Sequence, residues 1–163
     1  MDIKNPPLAW HFSSEILSNG DSSESVRLHA SKRLIDALAN SSGCFLHRVE
    51  CREIVEGDNN EFACRERKTL WAIDAEDLLR RFARLCALDV VHLWDCPAIV
   101  LQYLKTGDES IKSAADSAAD SEVDWAAYSA AYWAANTFSK KKQNRRLTSM
   151  VSRQRLKLIC NQR

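Results

Sequence analysis

The spacing of apolar positions changes twice along the chain, and each change predicts a different element. Val26, Ala30, Leu34, Ala37 and Leu38 recur at intervals of three and four, which predicts one face of an amphipathic helix over residues 24–40. Ser22 to Ser25 offer N-caps, Glu24 falls in the first turn, and Asn40-Ser41-Ser42-Gly43 stops the helix. The period then drops to two. Phe45, His47, Val49 and Cys51 alternate with Leu46, Arg48, Glu50 and Arg52, the signature of a strand. Gly57-Asp58-Asn59-Asn60 supplies turn chemistry, and the run from Phe62 to Ile73 follows it. The expectation is a β-hairpin pairing 44–55 with 61–72, although Arg65-Glu66-Arg67-Lys68 is polar for a strand.

Helical spacing returns at Ile73. Asp74 caps, Glu76 and Asp77 suit the positive end of the helix dipole, and Leu78, Leu79, Phe82, Leu85, Cys86, Val90 and Leu93 form a broad apolar stripe. Asp95-Cys96-Pro97 ends that helix and opens another, with Ile99, Val100, Tyr103 and Leu104 inside and Gly107 as its C-terminal cap. From Asp108 to about Ser139, pairs of Ala recur every four residues or so, interleaved later with Trp125, Tyr128, Tyr132 and Trp133. Ala is the best helix former and lets a neighbouring helix approach closely. Leu147, Met150, Val151, Leu158 and Ile159 mark a last helix over about 145–160. At the other end, Pro6-Pro7 rules out a helix, and Leu8, Trp10, Phe12, Ile16 and Leu17 dock the first 20 residues onto the body.

A lone hairpin is marginal in water, so it needs helices or a further strand to pack against. The fold expected is therefore α+β and mainly α: a compact helical bundle with one β-hairpin. It forms a single domain over 1–163, with an N-terminal helix-plus-hairpin portion over 1–72 and a helical portion over 73–163. A chain of this length buries roughly two-thirds of its unfolded surface, enough for a core without staples. Five Trp, five Phe and a 45% hydrophobic fraction supply that core.

Charge alters the picture more than composition does. Residues 139–163 hold nine Lys or Arg and no acid, against 14 basic and 22 acidic residues in the first 138. Such sorting points to an electrostatic partner, outside or inside the molecule. Lys140, Lys141, Lys142, Arg145, Arg146, Arg153, Arg155 and Lys157 are the candidate partner-binding cations. On a helix they could neutralise several phosphates, but no base-reading motif accompanies them. Their apolar companions favour a helix that packs on the acidic body. Asp116, Asp120, Glu122 and Asp124 form an acidic stripe on the Ala-rich helix. It is read either as a solvated face or as a nucleic-acid-mimicking, Arg-binding patch.

The remaining chemistry is sparse. Cys44, His47, Cys51 and Cys64, spaced C-x2-H-x3-C-x12-C, are the one metal-like constellation. With the turn centred between Asp58 and Asn59, Cys64 falls opposite Glu53, diagonal to Cys51 and on the face shared by His47. Paired C-x2-C knuckles are missing, so half-buried core thiols are the ordinary reading and zinc the sharper one. His92, beside Trp94 and Asp95, reads as a locally hydrogen-bonded histidine rather than a general base. No phosphate-cradling loop, G-x-S-x-G elbow or H-E-x-x-H stretch is present. The expectation is no catalytic residue and no cofactor. Met1 to Pro7 lacks an apolar run, and no stretch approaches the roughly 20 apolar residues of a membrane span. The six cysteines are then expected to be reduced thiols in a cytoplasmic protein with no membrane partner.

Two segments carry a resemblance. Arg81-Phe82-Ala83-Arg84-Leu85-Cys86-Ala87-Leu88-Asp89-Val90-Val91-His92-Leu93 and Asp124-Trp125-Ala126-Ala127-Tyr128-Ser129-Ala130-Ala131-Tyr132-Trp133-Ala134-Ala135 resemble Ala-rich helical bacterial and phage proteins described as immunity proteins. The likeness spans residues 78–138. It implies an all-helical unit and a link to immunity, toxin or counter-defence systems, and it transfers no catalytic residue. The function expected is a non-enzymatic, protein-binding inhibitor or immunity-type protein. Such a protein, including a phage counter-defence (anti-CRISPR-like) one, would occlude a surface on a protein or ribonucleoprotein partner. The alternative is a nucleic-acid-binding accessory protein that uses the basic C-terminal helix. A homodimer pairing the basic tail with another copy's acidic face is a further alternative.

Overall fold

The computed structural model describes residues 6–16, 21–22, 28–58, 60–122 and 140–161. Its elements are strands β1 (Leu8–Ser13), β2 (Asp21–Ser22) and β3 (Leu28–Ser31), helix α1 (Leu34–Ala39), strands β4 (Phe45–Gly57) and β5 (Glu61–Asp74), and helices α2 (Glu76–Val90), α3 (Ala98–Thr106), α4 (Lys112–Glu122) and α5 (Lys140–Cys160). They group into two units, residues 1–76 with 147–163, and residues 77–146. The division falls inside α5, between Arg146 and Leu147.

The expected helical bundle with one hairpin is overturned by the first unit. The hairpin is there, as β4 and β5, but it is half of a closed antiparallel sheet. β4 pairs with β5, β5 with β3, β3 with β1, and β1 with β4 again, while two-residue β2 extends the edge beside β3. The N-terminal segment does not simply dock: it supplies β1, which runs in register along β4 from Leu8 opposite Glu50 to Ser13 opposite Phe45. The helix expected over 24–40 is also corrected. Residues 28–31 are β3, with Ala30 opposite Phe62, and among the described residues of that stretch only Leu34–Ala39 is helical, residues 24–27 lying outside the described ones. The chain turns at Lys32, whose N–H donates to the Asn60 carbonyl at 2.7 Å.

The long hairpin coils enough to close because its ladder slips twice, between Arg48 and Val49 and between Ile54 and Glu56. Each slip leaves one residue out of the pairing, Leu70 in β5 and Val55 in β4, and both are exposed. Glu53, just before the second slip, takes a positive φ of 49°. Bulges of this kind bend a strand and increase its twist. Asp58 fixes the hairpin tip by accepting from the Asn60 and Glu61 N–H groups at 2.7 and 2.8 Å, and those bonds hold its carboxyl below the usual range.

All four strands contribute to one buried cluster of Ala9, Ala30, Val49, Cys51, Phe62 and Cys64. Its members are mostly small, as the narrow interior of a four-stranded closed sheet requires. Leu46, Phe12 and Leu34 are also fully buried in this unit, and α5 brings Leu147 and Val151 to it.

The second unit follows the sequence closely. α2 starts after Asp74, whose Oδ1 accepts from the Glu76 N–H at 3.0 Å, and a 3₁₀ turn over Val91–Leu93 carries the exposed His92. α3 opens after Pro97 and ends at Gly107, which takes a left-handed φ of 69° and donates to the Tyr103 carbonyl. A Cβ at Gly107 would meet only the Arg84 guanidinium, the movable end of a long side chain, so it is the left-handed backbone that favours glycine here. α4 is the start of the Ala-rich stretch; residues 123–139 lie outside the described residues.

Candidate functional site

The four residues of the metal-like constellation do not gather. The ladder places Cys64 opposite Ile54, not Glu53, because the hairpin turns one residue later than expected, with Gly57 opposite Phe62, a displacement that the slip beyond Ile54 only halves. Cys51 and Cys64 both belong to the buried cluster, where the Cys64 thiol donates to the Leu28 carbonyl at 3.3 Å. His47 is fully buried elsewhere, with Nε2 2.8 Å from the Ser13 hydroxyl and 3.3 Å from the Glu15 carbonyl, and its ring lies 6.0 Å from that of His11. Ser13 Oγ also contacts the Glu15 carbonyl, which can only accept. The serine proton therefore goes to that carbonyl, and His47 Nε2–H donates to Ser13. That is the reverse of the arrangement a nucleophilic serine needs, in which histidine accepts the proton. The pair is a buried polar latch between β1 and β4.

Cys44 keeps different company. Its thiol and the carboxylates of Asp74 and Glu76 lie within 4.8 Å of one another, the one such three-ligand group among the described residues. Asp74 is already engaged as the cap of α2, and both carboxylates are exposed. The helix start accounts for the acidic pair.

The basic cations of α5 divide into used and unused. In the helical unit, Arg146 grips Asp89 with both guanidinium nitrogens, at 2.8 and 3.0 Å, and Nη1 also donates to the Leu85 carbonyl at 3.0 Å. Lys142 adds a second cation to Asp89 at 3.2 Å. The Arg146 bond and the two charges hold the Asp89 carboxyl below its ordinary range. In the sheet unit, Arg155 stacks on Trp71 with its guanidinium carbon 4.6 Å from the ring centre. Trp71 meets Trp10 edge-on at 5.7 Å, and Arg48 covers Trp10 at 4.3 Å. Trp10, Arg48 and Trp71 are directly opposite one another across β1, β4 and β5, a row the sequence alone did not reveal. Lys140, Lys141, Arg145, Arg153 and Lys157 are exposed, and Arg153 reaches only the Ser149 hydroxyl.

The charge sorting of the sequence largely dissolves in this arrangement. The sheet unit holds 13 basic and 13 acidic residues, and the helical unit ten and nine. Of the acidic stripe, Asp116 is an exposed residue of α4, Asp120 and Glu122 lie on the same helix, and Asp124 lies outside the described residues.

The apolar residues of α5 divide as well. Leu147 and Val151 are buried, whereas Leu158 and Ile159 are each 42% exposed and Leu156 61%. At 3.6 residues per turn, Leu158 returns to the side of Leu147 after about three turns. Its exposure is thus not a matter of helical phase: the apolar stripe continues after its cover within the unit has ended. From Arg155 to Asn161 every residue is exposed. Sequence spacing flagged Leu158 and Ile159 as apolar but could not separate the covered part of the stripe from the bare part.

No protein-family model, no curated protein and no solved structure matches this chain. Among the described residues, no helix is long and apolar enough to cross a membrane.

Proposed function

We propose that this is a non-enzymatic binding protein that inserts the last turns of α5 into an apolar groove on an acidic partner protein and so occludes that surface. The observation that carries the reading is the bare continuation of the helix stripe at Leu158, with exposed Ile159 about a third of a turn to its side, bordered by Arg153 and Lys157 in a segment with no acidic residue. A helix offering apolar anchors at helical spacing is a standard mode of protein recognition. The flanking cations add orientation and on-rate toward a negatively charged rim. Binding to phosphates alone would not call for bare aliphatic side chains, which favours a protein over a nucleic acid. The inhibitor or immunity setting implied by the resemblance over residues 78–138 suits this mode, in a cytoplasmic protein.

The test is affinity capture from a nuclease-treated lysate of the native host, with wild-type protein and the double variant Leu158→Glu, Ile159→Glu. Wild type should retain a protein species in stoichiometric amount, and the variant should lose at least nine-tenths of it while melting as wild type does. Capture of DNA or RNA alone before nuclease treatment, or equal capture by both proteins, overturns the reading.

A further inference from the structure

We propose that the row Trp10, Arg48 and Trp71, together with Arg155 of α5, is a binding site for a phosphoryl group, either free phosphate or a small phosphate monoester. The row runs straight across the sheet. Trp10 on β1 is opposite Arg48 on β4, and Arg48 is opposite Trp71 on β5. Residues opposite one another on a ladder share a face and stand about 5 Å apart at Cβ. Trp71 is therefore flanked by Arg48 within the sheet and by Arg155 from the helix, whose guanidinium carbon lies 4.6 Å from its ring centre. Both cations adjoin one indole. The helix puts the second one there by phase: Leu147, Val151 and Arg155 are spaced by four, so an arginine takes the position that follows two buried aliphatic ones.

Among the described residues, neither guanidinium has an anion or a hydrogen bond. Each has only its ring, Arg48 that of Trp10 at 4.3 Å and Arg155 that of Trp71. The acids in the next two rows of this face, Glu50 and Glu66, are both met by Arg52, at 2.8 and 3.8 Å, and α5 carries no acid of its own. Arg48 is half-buried, and loss of water lowers its guanidinium from the ordinary value with no carboxylate acting against the shift. Arginine keeps its proton all the same. A charge withdrawn from water in this way is costly until an anion meets it.

Stacking uses the flat face of a guanidinium and leaves its N–H edge, which binds an oxyanion through two parallel hydrogen bonds. Packing against an indole also restricts each side chain before a ligand arrives, so little further ordering is needed. Arg48 supplies the fixed edge. Arg155, exposed and on a long stem, supplies the second. Two positive edges with no unengaged carboxylate in the adjacent rows match a phosphate dianion, which has oxygens enough for both. A single carboxylate is already satisfied by one arginine.

The test is a titration of the full, isotope-labelled chain with sodium phosphate and with phenyl phosphate at constant ionic strength. It is read on the tryptophan indole N–H signals in proton–nitrogen correlation spectra. Trp10→Phe and Trp71→Phe assign the two signals of the row, and Trp94 of the helical unit serves as reference. The signals of Trp10 and Trp71 should move and saturate while that of Trp94 stays in place. Arg48→Gln and Arg155→Gln should each weaken binding by roughly tenfold or more. Arg155 is exposed, so its variant should melt as wild type does and separates loss of the site from loss of the fold. Equal affinity for the two probes assigns the site to free phosphate, and tighter binding of phenyl phosphate assigns it to a monoester. Movement without saturation, wild-type affinity in Arg155→Gln, or binding of sodium acetate as tight as that of phosphate overturns the proposal.

Discussion

The sheet unit and the helical unit are held together by different means. In the first, strands from separate stretches of chain wrap a cluster whose members are buried to 5% exposure or less. In the second, the buried apolar residues among those described are Phe82, Val100 and Ala115, and much of the visible fastening is polar: the Arg146–Asp89 grip, the Gly107 cap and the Asp108 side chain accepting from the Ser110 N–H. Apolar burial returns roughly 25 cal/mol per Å² with little demand on angle, whereas a cap or ion pair depends on the geometry of one or two groups. Truncations should therefore hurt the sheet unit most, and single polar or backbone changes should report on the helical one.

The largest effect expected is from Leu46→Ala, which empties a fully buried site and should cost about 2–5 kcal/mol. The matching truncation in the helical unit, Val100→Ala, should cost about 1–2 kcal/mol. Urea denaturation of both variants checks this, and an equal cost at the two sites would break the comparison.

Next comes Asp89→Asn, which should cost about 1–2 kcal/mol by leaving Arg146 without its charged acceptor. Its pH dependence has a definite sign. The Asp89 carboxyl titrates below its ordinary value of 3.8 in the folded protein. Its contribution is thus complete above that value and lost as pH falls through the lower, folded one. Stability measured from pH 6 to pH 2 should fall less steeply at the acid end in the variant than in wild type; parallel curves would remove Asp89 from the account.

Last comes Gly107→Ala, with an effect no larger than that of Asp89→Asn. A left-handed residue with a Cβ costs about 1–2 kcal/mol, and the Arg84 guanidinium must also move aside. The melting temperature should drop modestly, and an unchanged one would show that α3 ends without help from its cap.

These two means of construction also decide what was legible in the sequence. The helical unit follows local rules, so Asp74, Pro97 and Gly107 announce their elements, and α2 and α3 lie where the apolar spacing puts them. The hairpin is legible for the same reason, through its alternation and Asp58. β1 and β3 are not. Their inward positions are small or polar, Ala9, His11 and Ser13 in one and Ala30 in the other, while the one large member of the cluster, Phe62, comes from β5. Apolar periodicity cannot register a strand whose core face is Ala, His and Ser. Val26, Ala30, Leu34 and Ala37 imitate a helix stripe for the same reason, with one of them a strand residue. At the candidate site, the basic character of α5 and its apolar spacing were legible. Which cations are spent on Asp89 and Trp71, and where the cover over the stripe ends, depend on residues far away in sequence.

Closure of the sheet has one more effect. A strand edge is a row of N–H and C=O groups ready to pair with another chain, and a closed sheet has almost none to offer. Here that protection hangs on the single registered pair between Trp10 and Ser31. When that seam parts, β1 and β3 each present a free edge, and two opened molecules have complementary ladders at hand. Trp10 and Ser31 are therefore where this protein guards against exchanging strands with its own copies and against aggregation.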